Sequence, residues 1–245
     1  MKHKQLLCLL SLSTLVLVAC GQEKEKPADE TSPAPTSQVA SESSVSSSDV
    51  AQETLANSEE KKAAFNGSYY SVQGKYGEVI IVNKKHPLSS DYAPGEIPEA
   101  VSAFREIVAK MYSLGYDVST TNYSGFRSYE TQANLYQSYV ANDGKENADR
   151  YSARAGYSEH QTGLAYDVLD SSGALLTEPK ATKWLADHAH EYGFIVRYLP
   201  EKEHSTGYMP ESWHIRYIGK EATDIYQSGQ TLEEYFGVPG GDYEN

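Results

Sequence analysis

The chain is almost without cysteine. Cys8 and Cys20 are its only two, both within the first twenty of 245 residues, so no disulfide is available to the remainder. Stability outside a cell would therefore come from a packed core, helped by a bound metal. Positive charge is scarce as well: 21 basic residues face 34 acidic ones, for a formal charge of −13. Such a surface has no basic stripe to release counterions from phosphates, which argues against nucleic acid and anionic lipid head groups as electrostatic partners. There is no internal repeat. One long apolar run occurs, Leu6 to Val18, and it is short for a membrane span.

That run is flanked by Lys2 and Lys4 on one side and by Leu17-Val18-Ala19-Cys20 on the other. Basic start, short apolar stretch, small residues and a cysteine together read as an export signal with a lipoprotein cleavage box. Residues 1–19 are the expected signal peptide, and Cys20 becomes the lipid-modified first residue of the mature protein. Loss of Lys2 and Lys4 takes the charge from −13 to −15. Lipid, not charge, would then hold the protein to the outer face of the cell membrane, facing the cell wall. Residues 20–62 are Glu, Lys, Ser, Thr, Pro and Ala with hardly a large apolar side chain, as in Ser41-Glu42-Ser43-Ser44-Val45-Ser46-Ser47-Ser48. They cannot bury enough surface to offset ordering entropy, and a disordered tether reaching a few tens of Å is expected.

From residue 63 to residue 245 aromatic and β-branched residues appear, enough for one domain with a sizeable core. Helices are expected over residues 97–114, with Val101, Phe104, Val108 and Met111 on one stripe, over 129–140 behind Ser128 as N-cap, and over 180–192 ending at Gly193. Strands are expected over residues 78–82, 117–121, 164–169, 193–197 and 213–218, with residues 201–210 as a loop. Helices and strands interleave without strict alternation, which predicts an α+β domain whose small, mainly antiparallel sheet is flanked by helices.

The chemistry is concentrated in Ser158-Glu159-His160-Gln161-Thr162-Gly163-Leu164-Ala165-Tyr166-Asp167 and, downstream, Glu211-Ser212-Trp213-His214. His160, Asp167 and His214 are three candidate metal ligands, and Glu211 is an unattached carboxylate. Hydrolytic zinc sites use three protein ligands and leave a position for water, whereas structural ones are closed by four. In a strand Asp167 shares a face with Gly163 and Ala165, small residues that would leave room for an ion, and His214 shares one with Arg216. Glu211, behind Pro210, would reach the site from just ahead of the last strand and act as general base. Ligand type alone also admits iron, manganese or cobalt. His86, His188, His190 and His204 are read as exposed.

These segments, together with Ser124-Gly125-Phe126-Arg127-Ser128-Tyr129, resemble the zinc D-alanyl-D-alanine carboxypeptidases of the vancomycin-resistance type. The likeness starts at Val82-Asn83-Lys84-Lys85-His86-Pro87-Leu88 and ends near Gly219. It implies the fold shared with lysostaphin-type peptidases and the hedgehog signalling domain, with zinc on the sheet face. It also implies His160, Asp167 and His214 as ligands, Glu211 as base, and Arg127 at the substrate carbonyl, where a fixed guanidinium would stabilise the developing oxyanion. Phe126 stands where the family has tyrosine. Gln132, five residues past Arg127, and Ser158 are candidates for holding the terminal D-alanine carboxylate, with Arg154, Tyr198 and Tyr208 as further lining.

The resemblance implies an exported monomer that trims peptidoglycan stem peptides and releases D-alanine. Members with the Asn-Lys-x-His-Pro-Leu opening are similar to L,D-carboxypeptidases of Gram-positive bacteria, which points to the tetrapeptide. The alternatives are a D,D-carboxypeptidase acting on pentapeptides and an inactive zinc-containing wall-binding lipoprotein. Glu211 and Arg127 together argue against the last.

Overall fold

The computed structural model describes residues 62–244. The expected signal peptide, the lipidation site Cys20 and the tether up to residue 61 lie outside the described residues. Among those described, no helix is long and apolar enough to cross a membrane.

The chain opens with strands β1 (Ala64–Phe65), β2 (Tyr70–Gln73) and β3 (Glu78–Ile81), which pair antiparallel in that order. Helix α1 (Pro98–Ser113) begins with proline in its first turn, where the missing N–H costs nothing. It buries Ala100, Phe104, Ile107, Val108 and Met111, a stripe at helical spacing in which Ile107 takes the place expected of Val101. Gly115, at φ 86°, lets the chain turn away.

Helix α2 (Tyr129–Asp143) is entered as expected through Ser128, whose side chain accepts from the Thr131 N–H. Helix α3 (Lys145–Tyr151) follows, then β4 (Ala165–Asp167), α4 (Pro179–His188), β5 (Phe194–Tyr198), α5 (Glu203–Thr206), β6 (Glu211–Tyr217), α6 (Glu221–Ser228) and α7 (Leu232–Phe236). Strands β4, β6 and β5 form a second antiparallel sheet with β6 at its centre. The α+β architecture is the expected one, with two three-stranded sheets where one had been expected.

Residues 117–121 are not a strand. The Val118 N–H turns back to the Tyr116 carbonyl at 3.0 Å, residues 120 and 121 bend, and the Ser119 N–H reaches the Leu169 carbonyl, just past β4, at 2.8 Å. β-branched content alone does not make a strand here, because the segment turns and forms no ladder with a neighbour. Residues 201–210, expected as a loop, hold the single turn of α5.

The second sheet divides the molecule chemically. Tyr166, Phe194 and Ile215 face a core formed with Phe104, Ile107 and Met111 of α1 and Leu185 of α4. Alternation along the strands puts Asp167, His214, Arg216 and Arg197 on the other face. Further along, Ile195 joins a second core with Val72, Val79, Ile81, Ile225, Leu232 and Phe236.

Candidate active site

Strand register assembles the centre of the site. Asp167 of β4 stands directly opposite His214 of β6, so adjacent strands deliver a carboxylate and an imidazole to one point. His160 comes from the 3-10 turn Glu159–Thr162, all four residues of which are buried. His160 Nε2 lies 3.3 Å from Asp167 Oδ2, and His214 Nδ1 lies 3.1 Å from Asp167 Oδ1. The imidazole rings are perpendicular with centroids 5.0 Å apart. One donor atom from each of the three residues falls within 4.8 Å of the other two. Ligands about 2.0–2.1 Å from a tetrahedral zinc are roughly 3.3 Å from one another, so this triangle of buried donors suits one small ion.

The partners of each imidazole assign its tautomer. His160 Nδ1 is 2.8 Å from the Gly125 carbonyl, which can only accept, so the ring donates there and Nε2 keeps its lone pair for a metal. His214 Nε2 is 3.2 Å from Glu159 Oε2, leaving Nδ1 for the same ion.

Gly163 follows this turn at φ 70°, and a Cβ there would run into the Gly95 carbonyl oxygen. Close approach of the segment before α1, together with the left-handed backbone, requires this glycine. Space for an ion does not.

Glu211 is not ahead of the last strand. It is the first residue of β6 and pairs with Tyr198. Three positions from His214, a regular strand would aim it at the opposite face. Between the pairs Val196↔Ile215 and Tyr198↔Glu211, two steps on β5 answer four on β6. This bulge re-aims the side chain, and Glu211 Oε2 comes within 3.7 Å of His214 Nδ1.

Burial drives the charges at this point apart. Burial raises the Glu211 carboxyl, the neighbouring Asp167 charge adds to that, and the result is about 7 in spite of His214 and Arg127. Burial would also raise Asp167, yet His160 and His214 hold it well below the usual carboxylate range. Burial lowers His160. It would lower His214 as well, but hydrogen bonds to Asp167 and Glu159 outweigh it and push that imidazole up to about 9. One carboxylate thus stays ionised beside its imidazoles while the other is poised near neutrality, the separation expected of a ligand and a proton carrier.

Arg127 is laced to the same elements. Its backbone N–H donates to the His160 carbonyl at 3.2 Å, and Ser124 pairs with Asp167 in an isolated bridge. Its Nη2 donates to Ser124 Oγ at 3.0 Å and lies 3.9 Å from Asp167 Oδ2, while Nη1 donates to Gln132 Oε1 at 2.8 Å. Gln132 is buried and both ends of its amide are engaged, since Nε2 donates to the Ala153 carbonyl at 2.6 Å and to Ser152 Oγ at 3.4 Å. It therefore orients Arg127, and gripping a substrate carboxylate would require exchange of the weaker Ser152 contact. The Ser158 hydroxyl caps nothing in the turn it precedes and lines the cavity.

Arg127, Gln132, Ser158, Tyr198, Tyr208 and Glu211 line a cavity of about 480 Å³ that also reaches all three candidate ligands. Arg154 is not among its walls. Its guanidinium is held by Asp149 at 2.8 and 3.0 Å and covers the Tyr243 ring. Phe126 is half-buried. His86, read as exposed, is buried, with Nδ1 2.9 Å from Asn83 Oδ1 and its ring edge-on to Tyr70. His188 and His190 are half-covered and His204 is exposed. Sequence reasoning assigned no role to Glu159, although it sits inside the central motif. A glutamate flanked by serine and histidine signals surface, and only the arginines at positions 197 and 216, at polar-face positions of their strands, hint at a buried partner.

Residues 97–220 match the VanY family, described as D-alanyl-D-alanine carboxypeptidase. The putative carboxypeptidase YodJ of Bacillus subtilis is 36% identical over 191 residues, 68% of this chain and 69% of its own length. An L,D-carboxypeptidase, DacB from Streptococcus pneumoniae, superposes with a TM-score of 0.73 at 58% identity, covering 75% of this chain and 100% of that one. The vancomycin-resistance D,D-pentapeptidase VanY of a VanB-type cassette, solved as a mutant in complex with Zn(II), superposes with a TM-score of 0.56 at 31% identity, covering 64% and 97%.

Proposed function

The chain belongs to the VanY family of D-alanyl-D-alanine carboxypeptidases, and from that premise we propose a zinc-dependent carboxypeptidase that removes C-terminal D-alanine from peptidoglycan stem peptides, preferring the tetrapeptide. The observation that carries this reading is the convergence of His160, Asp167, His214, Glu211 and Arg127 on one cavity. Preference for the bond between an L centre and D-alanine is supported by the 58% identity to an L,D-carboxypeptidase over its whole length, against 31% to a D,D-pentapeptidase.

In this mechanism His160 Nε2, His214 Nδ1 and an Asp167 oxygen would hold the ion. Bound zinc would supply a water of pKa near 7 and polarise the scissile carbonyl. Glu211, its carboxyl raised by burial to about 7, is placed to accept a proton from the attacking water and to donate one to the departing D-alanine amine. Arg127, fixed by Ser124 and Gln132, faces the oxyanion that develops, and its geometry needs no rearrangement at that moment. Ser158 and Arg127 receive the terminal carboxylate of the substrate, with Gln132 as a further donor.

The lipid on Cys20 would keep this activity at the outer face of the membrane, a reading that rests on the signal and cleavage box alone. Cys20→Ala should abolish incorporation of labelled palmitate into the protein, and undiminished labelling would sink the anchor. The enzymatic reading is tested by incubating the protein with tetrapeptide and pentapeptide stems, with and without chelator, and weighing the products. Release of one D-alanine from the tetrapeptide, abolished by chelator, is expected. Faster trimming of the pentapeptide would assign a D,D-carboxypeptidase, and no release from either stem would point to an inactive wall-binding protein.

A further inference from the structure

We propose that Glu159 is a positioning residue that fixes His214 as the tautomer presenting Nδ1 to the metal, and that Asn83 and Glu233, outside the matched family segment, hold it through Arg197. The inference rests on the metal-site reading above and concerns a residue that touches neither ion nor substrate.

The Glu159 side chain is wholly buried. Its two oxygens have different partners. Oε1 accepts from Arg197 Nε and from Arg216 Nη1, each at 2.9 Å. Oε2 faces His214 Nε2 at 3.2 Å. With Oε1 held by two guanidiniums, the carboxylate is fixed with Oε2 turned to the imidazole. An ionised carboxylate only accepts, so the Glu159 contact keeps a hydrogen on Nε2, and Nδ1, 3.1 Å from Asp167 Oδ1 on the cavity side, is the nitrogen whose hydrogen a metal would displace. Two guanidiniums at 2.9 Å on Oε1 keep this carboxylate in its ionised, accepting form. His160 uses the opposite nitrogen, because its fixed acceptor is the Gly125 carbonyl.

Behind Glu159 the chain of contacts continues. Arg197 makes a two-pronged pair with Glu233, Nη1 to Oε2 at 2.9 Å and Nη2 to Oε1 at 2.6 Å. Asn83 Nδ2 donates to Glu233 Oε1 at 3.0 Å and to the Pro239 carbonyl at 3.1 Å. Arg216 Nη2 is anchored on the Ile80 carbonyl at 2.8 Å. Two carboxylates and two guanidiniums balance, so the network stays in the interior without a residual charge, and its rigid forks fix the angle at which Glu159 meets the ring. This gives the Asn83-Lys84-Lys85-His86-Pro87-Leu88 opening a reason to lie in this protein. It ties the first sheet and the C-terminal helices to a metal ligand on the second sheet.

The test is Glu159→Gln. Arg197 and Arg216 both donate to one position and would keep the amide oxygen there, which turns the NH2 group towards His214 Nε2. A donor at that place makes Nε2 the acceptor and shifts the ring hydrogen to Nδ1, where it competes with the metal. Zinc affinity, read by chelator competition on folded protein, should fall about 10- to 100-fold, the usual loss for a partner of a ligand. Nitrogen-15 NMR of the zinc-loaded wild type should show His214 with hydrogen on Nε2, and that signal should be lost in the variant. A residue with a merely structural role would lower Tm without moving either readout. Glu233→Gln, one step further out, should weaken zinc binding in the same direction by less, and provides the measurement if Glu159→Gln does not fold. Zinc affinity in both variants within threefold of wild type, or an Nε2 hydrogen that persists in Glu159→Gln, overturns the proposal while leaving the carboxypeptidase reading intact. Absence of zinc binding in the wild type would overturn both.

Discussion

Two side chains carry separable parts of the proposed chemistry. Glu211 touches His214 only at 3.7 Å, outside the close triangle of donors, so Glu211→Gln should keep zinc bound while lowering kcat by about 10²–10⁴-fold, the contribution usual for a general acid-base group. Zinc content by atomic absorption beside turnover checks this, and a zinc-free variant would make Glu211 a ligand. Arg127→Ala removes a preorganised donor and should lower kcat by about 10²–10³-fold, more than it raises KM. A pure KM effect would confine Arg127 to the carboxylate grip and remove it from oxyanion stabilisation. Because burial places Glu211 near 7, kcat/KM should fall on the acid side at or below that pH, since a nearby dication only lowers the value. Loss of activity beginning well above pH 7 would count against Glu211 as the base.

At the scale of elements, the site depends on two local departures from regular structure, the bulge in β6 and the tight turn carrying His160. Gly163→Ala would force a Cβ against the Gly95 carbonyl and into a left-handed backbone. It should destabilise the domain by roughly 2–4 kcal/mol in urea unfolding, and a change below about 0.5 kcal/mol would mean that the Gly95 segment yields easily. The candidate ligands were legible in the sequence because they are local in pattern: the pair Asp167 and His214 follows from strand alternation, and Ser128 announces α2. The fully buried Glu159 and the aim of Glu211 were not legible. Both depend on long-range partners, Arg197, Arg216 and the register shift against β5, which no local window contains. The β-branched run at residues 117–121 misleads for the same reason, because propensity cannot say whether a partner strand will be present. β1 and β2 are too short, and α6 and α7 too dependent on the second core, to stand out before that core is known.

For the whole molecule, a metal site without disulfides should tie stability to pH in a way that zinc reverses. His214 is raised from 6.5 to about 9, so its contribution is complete below pH 6.5 and is lost as pH rises through 9. Glu211, raised from 4.5 to about 7, loses its own contribution as pH rises through 7, so only the remainder falls just above it. His86 and His160 are lowered from 6.5, so they are neutral in both states above pH 7 and their effect is confined to the acid side. Asp167 is held below 3.8 and acts lower still. The interval from pH 7 to 9 therefore belongs to His214. In chelator, Tm should fall by roughly 5 °C across it, given a few degrees per kcal/mol for a domain of this size. With zinc in excess the ion takes the place of the proton on His214. Binding then strengthens as pH rises, so the gap between zinc-loaded and chelated Tm should widen over the same interval. Thermal unfolding at pH 7, 8 and 9 in both conditions reads the two trends together. A chelated Tm that stays level or climbs would show that His214 does not hold a proton between Asp167 and Glu159. A gap that narrows would show that its nitrogen is not a ligand.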